Sequence, residues 1–485
     1  MKKEDPEKSL SIMHRLPAAE EPFGELEKRL REFYFYHGFL PREDLKYVLK
    51  VSGDYLLRVS EIDEANGKIR REVILSLVPV DNKENKDKDG KSEGKIEVNG
   101  KMNSSARTKQ IYRNVIVKRH GLHFYVEKTR SFETIGELID YYKANMGHVN
   151  SISFLLKCPI PLQSWEFLHN EVTLGNILGA GAFGEVHAGK LKTSAGSVYD
   201  VAVKVTKGAA VLNKQKIKEM MNEARFMRNF THKNVVRMHG VAVNEQPIYI
   251  LLELVKGGSL SSYLIKNKGN VTVQEKIKMC SGAAQGLEYL HANGCIHRDI
   301  AARNLLYASN DKLAKISDFG LSRSGPHYKP KSACKVAIKW LAPETIVTLS
   351  FTYSTDVYSY GVMIYEVFTD GAEPWEGLSN SDVKVNVCTG RFLKLPESSP
   401  ESVKNVVKKI FVKENRIAMP EVVKLIEAAS LEAQQKLETL QKTEPLPKAR
   451  TPPAGRPMRK SPPCVSVYCT DIVTPKVERK KKSLF

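Results

Sequence analysis

The stretch His-Arg-Asp-Ile-Ala-Ala-Arg-Asn at residues 297–304 constrains this chain more than any other. A short string can match a motif by chance, so its meaning depends on partner segments at suitable distances. Upstream lies Leu-Gly-Ala-Gly-Ala-Phe-Gly-Glu-Val, residues 178–186. Its three glycines let the backbone approach phosphate groups closely, because a Cβ would block that approach. Together the two stretches point to a site that handles phosphate.

The glycine-rich stretch by itself has other interpretations. A Gly-x-Gly-x-x-Gly string also marks dinucleotide-binding turns, or a plain hairpin. The run Tyr-Asp-Val-Ala-Val-Lys-Val at 199–205 alternates like a strand and carries Lys204. A dinucleotide site would instead require a helix there, followed by an acidic residue that closes a βαβ unit. The strand therefore favours a different kind of nucleotide site.

In this order the segments resemble those of protein kinases. Residues 297–304 resemble the catalytic loop, in which the Asp accepts the proton of the substrate hydroxyl and the Asn holds a metal ion. The Ala-Ala-Arg form is that of tyrosine kinases, whereas serine/threonine kinases usually have Lys at the position of Ala301. The resemblance implies that Asp299, Arg303 and Asn304 are catalytic.

Further segments supply the rest of the expected ATP site. Glu223 lies in the helix-patterned stretch 213–230 and corresponds to the carboxylate that pairs with Lys204. A helical Glu is usually a solvated charge, but its position after the Lys204 strand favours the pairing. Asp318 and Asn304 correspond to ligands of Mg²⁺ or Mn²⁺, and Mg²⁺ prefers oxygen donors. The residues that correspond to the ATP site are Leu178, Gly179, Ala180, Gly181, Ala182, Phe183, Gly184, Glu185, Val186, Ala202, Lys204, Glu223, Leu252, Glu253 and Leu306.

The segment between Asp318 and Ala-Pro-Glu at 342–344 contains one tyrosine, Tyr328. We expect this stretch to be mobile, because it has no apolar periodicity. Phosphate on Tyr328 would add close to two negative charges for cations to capture. By resemblance Arg298 is the expected partner, with Arg323 and Lys329 as local alternatives, although lone loop tyrosines are often merely exposed. The resemblance also implies that Arg416 pairs with Glu344.

The N-terminal third resembles a Src-homology-2 (SH2) domain. The matching segments are Phe-Tyr-His-Gly at 35–38, Pro-Arg-Glu-Asp at 41–44 and Tyr-Leu-Leu-Arg-Val-Ser at 55–60. In that family the strand Arg binds a phosphotyrosine phosphate bidentately, which implies Arg58 as the main ligand with Arg42 and Ser60 as helpers. Alternation places Arg58 on one face of its strand, while Leu57 and Val59 fill the core on the other. Asn114 stands where the family usually has a His, which implies reduced affinity.

The expected fold class is α+β, an SH2 domain (a central antiparallel sheet flanked by two helices) followed by a two-lobed protein kinase domain. The order of the domains, with the linker Leu-Gln-Ser-Trp-Glu-Phe at 162–167, resembles cytoplasmic tyrosine kinases of the Fes/Fer type. Residues 81–108 are so rich in Lys, Asp, Glu, Asn, Gly and Ser that we expect a disordered loop. The expected segments are a disordered start at 1–32, the SH2 domain at 33–162 with that insert, a linker at 163–171, the kinase domain at 172–430 and a basic Pro-rich tail at 431–485.

Composition sets the expected surroundings. Seven Cys, an odd number without metal-ligand spacing, suit a reducing compartment. No signal peptide is visible, and the apolar runs are too short to span a bilayer. The net charge is +20, and 442–485 hold eleven Lys or Arg against three acidic residues. This tail is a solvated extension or a weak contact for anionic lipid. A nucleic-acid partner would need a folded basic face with stacking aromatics, which the sequence does not show.

The resemblance thus implies a cytoplasmic enzyme, sometimes associated with the inner face of the plasma membrane, that transfers the γ-phosphoryl group of ATP to protein tyrosine. Its partners would be tyrosine-containing substrates and, through the SH2 domain, phosphotyrosine proteins. The alternative is a phosphotyrosine-binding signalling scaffold with a weakly active or inactive kinase domain. A dead kinase would lack a catalytic residue, and all the expected ones are present. A serine/threonine kinase conflicts with Ala301, Ala302 and Arg303.

Overall fold

The computed structural model describes residues 22–63, 69–80, 112–181, 184–193, 195–206, 214–331, 336–412 and 414–443. The expected ATP-site residues Ala182 and Phe183, the predicted loop 81–108 and most of the predicted tail lie outside the described residues. The chain forms one compact unit up to Gln435, and the residues from Lys436 onward belong to a second unit. Of that second unit, the structure describes the end of one helix.

Residues 22–160, called the N-terminal module below, are built on a five-stranded sheet with the strand order β4-β3-β2-β1-β7. Strands β1 and β2 are antiparallel, and Arg58 lies opposite Ile74. Leu57 and Val59 are buried in the core as predicted, and Leu56 and Arg58 on the other face of β1 are buried as well. The elements are α1 (Phe23–Leu30), α2 (Leu45–Val48), β1 (Asp54–Asp63), β2 (Ile69–Leu77), β3 (Arg113–His120), β4 (His123–Tyr125), α3 (Ile135–Ala144), β5 (Gly147–Val149), β6 (Ile152–Phe154) and β7 (Cys158–Pro159).

Helix α1 corrects the expectation of disorder for residues 23–30 of the segment 1–32, of which residues 1–21 lie outside the described residues. The sequence Phe-Gly-Glu-Leu-Glu-Lys-Arg-Leu places Phe23, Leu26 and Leu30 on one helical face. Leu26 and Leu30 are buried in the core of the N-terminal module. The charged residues of the helix obscured this short apolar stripe, which becomes stable by packing on the module.

From Val172 the chain forms a lobe built on a second five-stranded sheet, ordered β11-β12-β10-β9-β8, and one long helix. In this sheet β10 pairs with β9 on one side and β12 on the other. Ala202 and Lys204 are alternate residues of β10, so their side chains lie on the same face of the sheet. The elements are β8 (Val172–Gly181), β9 (Gly184–Lys192), β10 (Val198–Val205), α4 (Lys214–Met227), β11 (Met238–Ala242) and β12 (Tyr249–Glu253).

A second lobe follows, built mainly of helices around a large apolar core. Helix α8 is the centre of this core, since nearly all of its residues are buried. The elements are α5 (Leu260–Lys266), α6 (Val273–Ala292), β13 (Cys295–Ile296), β14 (Leu305–Ala308), β15 (Leu313–Ile316), β16 (Arg323–Ser324), β17 (His327–Tyr328), α7 (Pro343–Thr348), β18 (Phe351–Thr352), α8 (Tyr353–Phe368), α9 (Asn380–Cys388), α10 (Glu401–Ile410) and α11 (Met419–Thr443).

Helix α11 runs past residue 430, where we expected the folded domain to end and the tail to begin. The stretch 431–443 contains mostly helix-forming residues, and the first Pro of the tail is Pro445. Nothing in this stretch therefore stops the helix. Within the described residues, no helix combines the length and the apolar character needed to cross a membrane.

The N-terminal module lies directly against the sheet lobe. Gly38 has φ +52°, and a Cβ at this residue would come within 2.1 Å of the carbonyl oxygen of Val243. Only glycine permits this approach, in which the Phe39 N–H donates to the Val243 oxygen over 2.8 Å. The fully buried His37 ring contacts the Glu166 carboxylate at 2.9 Å and the Ile160 carbonyl oxygen at 2.9 Å. The module, the linker and the lobe are thereby held together by buried contacts.

Candidate functional site

A buried ion pair joins the sheet lobe to its helix. The Lys204 ammonium on β10 lies 2.7 and 2.8 Å from the two carboxylate oxygens of Glu223 on α4. Both residues are buried. The pairing expected from the sequence is therefore present, and it fixes the position of α4 relative to the sheet. A buried pair of this kind holds one helix position, because displacing either partner leaves an uncompensated charge.

Asp318 faces this pair from the other lobe. Burial raises the pKa of Glu223; the Lys204 ammonium acts against this and the Asp318 carboxylate adds to it. Asp318 has φ +60°, an uncommon backbone conformation for a residue other than glycine. The next residue, Phe319, is buried and packs against the rings of Phe230 and His297 at 5.7 and 5.2 Å. Anchoring this ring fixes the backbone beside Asp318, whose carboxylate lies close enough to Glu223 to act on it electrostatically.

The loop 297–304 is held from below by helix α8. The buried Asp356 carboxylate accepts hydrogen bonds from the backbone N–H groups of His297 and Arg298, at 2.7 and 2.8 Å. Arg298 has φ +71°, a strained conformation that these bonds help to hold. These bonds fix the backbone at His297 and Arg298, so the side chains of Asp299 and the next residues extend from a rigid part of the loop.

Three of the predicted catalytic residues meet in this loop. The Asn304 amide donates to the Asp299 side-chain carboxylate at 2.7 Å and to the Asp299 backbone carbonyl at 2.8 Å. The Arg303 guanidinium forms a close ion pair with the other Asp299 oxygen. Asp299 is partly exposed, so a substrate hydroxyl can reach it. The cluster orients one carboxylate in space, as a general base requires.

Sequence reasoning missed two residues that support this cluster. The Arg303 guanidinium lies 4.3 Å from the Trp340 ring, as a cation–π contact. The Trp340 indole N–H donates over 3.0 Å to Glu366, which also accepts the backbone N–H of Ala302 at 2.9 Å. Burial raises the pKa of Glu366 to about 7. No linear pattern identifies Glu366, because its partners lie 26 and 64 residues away in the chain.

The remaining expected ATP residues lie on facing strands. Ala202 lies opposite Leu252, and Val186 lies opposite both Lys204 and Gly179. Among the described residues, no group of three or more His, Cys, Asp or Glu could hold a metal ion. The donors of Asp318 and Asn304 are oxygen atoms, which fit a hard divalent ion that completes its shell with phosphate and water. Leu178, Gly179, Ala180 and Gly181 lie on β8, Gly184, Glu185 and Val186 on β9, Leu252 and Glu253 on β12, and Leu306 on β14.

Tyr328 occupies a paired strand rather than the mobile stretch that we expected. Strand β17 pairs with β18, which places Tyr328 opposite Phe351. Backbone pairing supplies the order that the apolar pattern did not predict. The Arg298 guanidinium lies 4.6 Å from the Tyr328 ring and that of Arg323 lies 5.2 Å away, so two of the three expected cations are adjacent to it.

The predicted pairing of Arg416 with Glu344 is confirmed. The guanidinium contacts both carboxylate oxygens, at 2.5 and 3.2 Å, and also donates to the Ser354 carbonyl oxygen at 2.8 Å. The Arg416 side chain is almost fully buried. This fork ties α7 to the segment before α11.

A separate cavity of about 640 Å³ lies in the N-terminal module beside β1. Arg42, Arg58 and Ser60, the three predicted phosphotyrosine ligands, all line it. The buried Arg58 guanidinium donates to Ser76 at 3.0 Å, to Asn114 at 3.0 Å and more weakly to the Leu40 carbonyl oxygen at 3.5 Å. These partners are all neutral. Burial lowers the pKa of Arg58 to about 10, and the nearby Arg42 acts in the same direction.

The wall of this cavity is completed from outside the module. Ile217 and Lys218 of α4 are among its lining residues, and Lys218 pairs with Glu43 at 2.9 Å. Between the same two parts of the chain, the Arg225 guanidinium donates hydrogen bonds from two nitrogens to the buried Asp44 carboxylate, at 2.5 and 2.9 Å. Sequence reasoning missed these contacts, because each joins residues about 180 positions apart.

Comparisons with known proteins agree with this geometry. A family model described as "Protein tyrosine and serine/threonine kinase" matches residues 172–426. "Fer-related kinase 1" of Caenorhabditis elegans is 34% identical over 382 residues, which are 78% of this chain and 88% of that protein. "Tyrosine-protein kinase Fer" of Homo sapiens is 33% identical over 82% of this chain and 44% of its own length. "Tyrosine-protein kinase transforming protein Fps" of Avian sarcoma virus (strain PRCII) is 33% identical over 78% of this chain and 64% of its own length.

Proposed function

Since the chain belongs to the Fer/Fps group of non-receptor protein tyrosine kinases, we propose that Asp299 takes the proton of the substrate tyrosine while ATP is held between the two lobes. The observation that carries this assignment is the cluster in which Asn304 and Arg303 both bond to the Asp299 carboxylate. One oxygen is bound by each neighbour, so the carboxylate has a fixed orientation. A positioned carboxylate within reach of the hydroxyl is what proton transfer requires.

The Lys204 and Glu223 pair would position the nucleotide. A buried carboxylate 2.7 Å from the Lys204 ammonium holds that ammonium in one place, where it would contact the α- and β-phosphates of ATP. Ala202 and Val186 would enclose the adenine base, with Leu252 as the gatekeeper beside it. A divalent ion, Mg²⁺ or Mn²⁺, held by Asp318 and Asn304 would neutralise charge on the phosphates.

The test of this nucleotide site is Lys204→Met, compared with Lys190→Met on the neighbouring strand, where Lys190 is exposed. We expect Lys204→Met to abolish phosphate transfer to a tyrosine polymer, and Lys190→Met to remain as active as wild type. Transfer at the wild-type rate by Lys204→Met would reject the assignment. Assays with Mg²⁺ and with Mn²⁺ as the sole divalent ion would identify the metal that supports turnover.

We further propose that the N-terminal module is an SH2 domain and that Arg58 binds the phosphate of phosphotyrosine. Among the described residues, the buried Arg58 guanidinium donates to three neutral partners and to no carboxylate, which favours an anionic ligand. A planar guanidinium can bind phosphate through two nitrogens at once. The cavity volume of about 640 Å³ falls in the range of small-ligand sites.

Arg58→Lys tests this binding site, because it keeps the positive charge and removes the fork. A charge-assisted hydrogen bond contributes roughly 1.5–3 kcal/mol, so we expect at least tenfold weaker binding of a phosphotyrosine peptide library. Arg130→Lys is the matched control, because Arg130 is an exposed residue of the same module that stacks on Tyr141. Equal affinity of wild type and Arg58→Lys in calorimetry would reject Arg58 as the ligand.

We also propose that the enzyme works in the cytoplasm and that its basic tail makes a weak contact with anionic lipid. The support is the net positive charge of residues 442–485, which contain eleven Lys or Arg and three acidic residues. Each basic residue near an anionic surface contributes around 1 kcal/mol. The chain should co-sediment with phosphatidylserine vesicles at low salt, and a variant truncated after Thr443 should not. Equal co-sedimentation of both would exclude the tail as the contact.

A further inference from the structure

The cavity beside Arg58 is shared between the two parts of the chain. Arg42, Arg58 and Ser60 come from the N-terminal module, whereas Ile217 and Lys218 come from helix α4 of the kinase domain. The Ile217 side chain is buried. An anion that enters this cavity therefore meets residues of both parts.

Two charges of opposite sign stand at the mouth of the cavity. Glu43 and Lys218 both line it and form an ion pair at 2.9 Å, and their side chains are 42% and 48% exposed. Glu43 acts electrostatically on Arg58, since its carboxylate opposes the lowering of the Arg58 pKa by burial and Arg42. A carboxylate that acts on Arg58 would also repel a phosphate dianion bound there. Lys218 offsets this repulsion.

The Lys218 side chain has the freedom to do more than neutralise Glu43. An ammonium on a four-carbon stem that is half exposed can turn from a carboxylate to a nearby phosphate without a buried bond being broken. The backbone beneath it is held, because α4 is tied to the module through Arg225 and Asp44. A half-exposed cation on a fixed helix that lines an anion cavity is suited to contacting the ligand.

We propose that Lys218 of the kinase domain is a ligand for the phosphate bound at Arg58, so that the phosphotyrosine site is complete only when the two parts are docked. This inference rests on the proposed binding of phosphotyrosine by Arg58. The ligand class is an aryl phosphate dianion, and the residue is one that the SH2-like sequence does not contain. A monoanion of the same shape should depend on Lys218 less than a dianion does.

The test uses the full chain and two probes, phenyl phosphate and phenyl sulfate, with affinities measured by calorimetry. Lys218→Gln should bind phenyl phosphate three- to tenfold more weakly than wild type. This loss is smaller than that expected for a buried charge-assisted hydrogen bond, because Lys218 is half exposed. The loss for phenyl sulfate should be smaller. Lys216→Gln is the matched control, because Lys216 is exposed on the same helix and is not among the described residues that line the cavity. Its affinity should equal that of wild type.

The Glu43→Gln background separates direct binding from simple neutralisation. Glu43→Gln should bind phenyl phosphate more tightly than wild type, and Lys218→Gln in that background should still weaken binding at least twofold. If the effect of Lys218→Gln disappears there, Lys218 only neutralises Glu43 and the proposal is wrong. The proposal is equally overturned if Lys218→Gln binds as tightly as wild type.

Arg58→Lys distinguishes this failure from failure of the underlying function. If Arg58→Lys and Lys218→Gln both leave phenyl phosphate binding unchanged, the cavity is not the phosphate site at all. If Arg58→Lys weakens binding and Lys218→Gln does not, the site belongs to the N-terminal module alone. Thermal denaturation of each variant, compared with wild type, identifies any loss that comes from unfolding.

Discussion

Removing Arg225 should damage this protein more than removing Asp44, although the two form one ion pair. The Asp44 side chain is 1% exposed and that of Arg225 is 16% exposed. Arg225→Met leaves a buried carboxylate whose remaining cation, Arg228, lies at 3.9 Å. Leaving a buried charge without its partner costs about 3–5 kcal/mol. Asp44→Asn keeps an oxygen that can accept one bond and leaves the more accessible group charged, so we expect about 1–2 kcal/mol.

The dependence of this difference on pH follows from Asp44. Burial raises the pKa of Asp44 against the opposing pull of Arg225, so without Arg225 the carboxyl takes up a proton more readily still. Arg225→Met should therefore recover stability relative to wild type as the pH is lowered from neutral to mildly acidic. Asp44→Asn has no carboxyl at this position and should not recover.

The pair also acts on the active site, because Arg225 lies two residues after Glu223 on α4. A loosened α4 would hold Glu223 less firmly against Lys204, and kcat on a soluble tyrosine peptide should fall in the same order as stability. Stability is measured by urea denaturation with far-ultraviolet circular dichroism. Arg391→Met, at an exposed residue of the helical lobe, is the control. The reasoning fails if Arg225→Met is no more destabilising than Asp44→Asn.

Three further predictions concern the catalytic domain. Mass spectrometry after incubation with Mg-ATP should find Tyr328 phosphorylated, and Tyr328→Phe should lower activity; an unmodified Tyr328 in an active preparation would mean that the enzyme is switched elsewhere. Arg416→Ala should destabilise the fold by about 1–2 kcal/mol, because the Glu344 carboxylate that it leaves without a guanidinium is 30% exposed and can be solvated, and an unchanged denaturation midpoint would argue against this. Glu366 has a pKa raised from 4.5 to about 7, so the folded state binds its proton more tightly than the unfolded chain. Wild type should therefore lose roughly 3 kcal/mol relative to Glu366→Gln as the pH rises across this interval, and a difference that does not change with pH would refute the shift.

Local motifs predicted which side chains of the loop 297–304 lie together, because these relations depend on short spacing. The separation of five positions between Asp299 and Asn304 brings both side chains together once the loop is fixed, and alternation along β1 placed Arg58 on the opposite face from Leu57. These relations are set by backbone geometry, which the sequence reveals directly. The Arg416 and Glu344 pair could be expected only through the family resemblance, because it spans 72 residues.

The contacts between the parts of the chain could not be predicted in this way. Asp44 and Arg225 are 181 residues apart, and neither stands in a pattern that identifies the other. His37 and Glu166 likewise meet across 129 residues as a fully buried pair. An exposed charge and a buried one look the same in a sequence, and tertiary packing decides between them. The same holds for α1, in a segment that we expected to be disordered, because Leu26 and Leu30 become buried only through packing on the core of the N-terminal module.

The central claim is that Asp299 is the base of a tyrosine-specific phosphoryl transfer, and radiolabelled ATP tests it most directly. Wild type, Asp299→Asn and the exposed-loop control Asp311→Asn would each be assayed on a tyrosine polymer and on a mixed serine/threonine polymer. Positioned general bases contribute about 10²–10⁴-fold to rate, so Asp299→Asn should lose at least a hundredfold while binding ATP as wild type does. Wild type and Asp311→Asn should label the tyrosine polymer alone. Undiminished transfer by Asp299→Asn, or equal labelling of both polymers by wild type, would contradict the account.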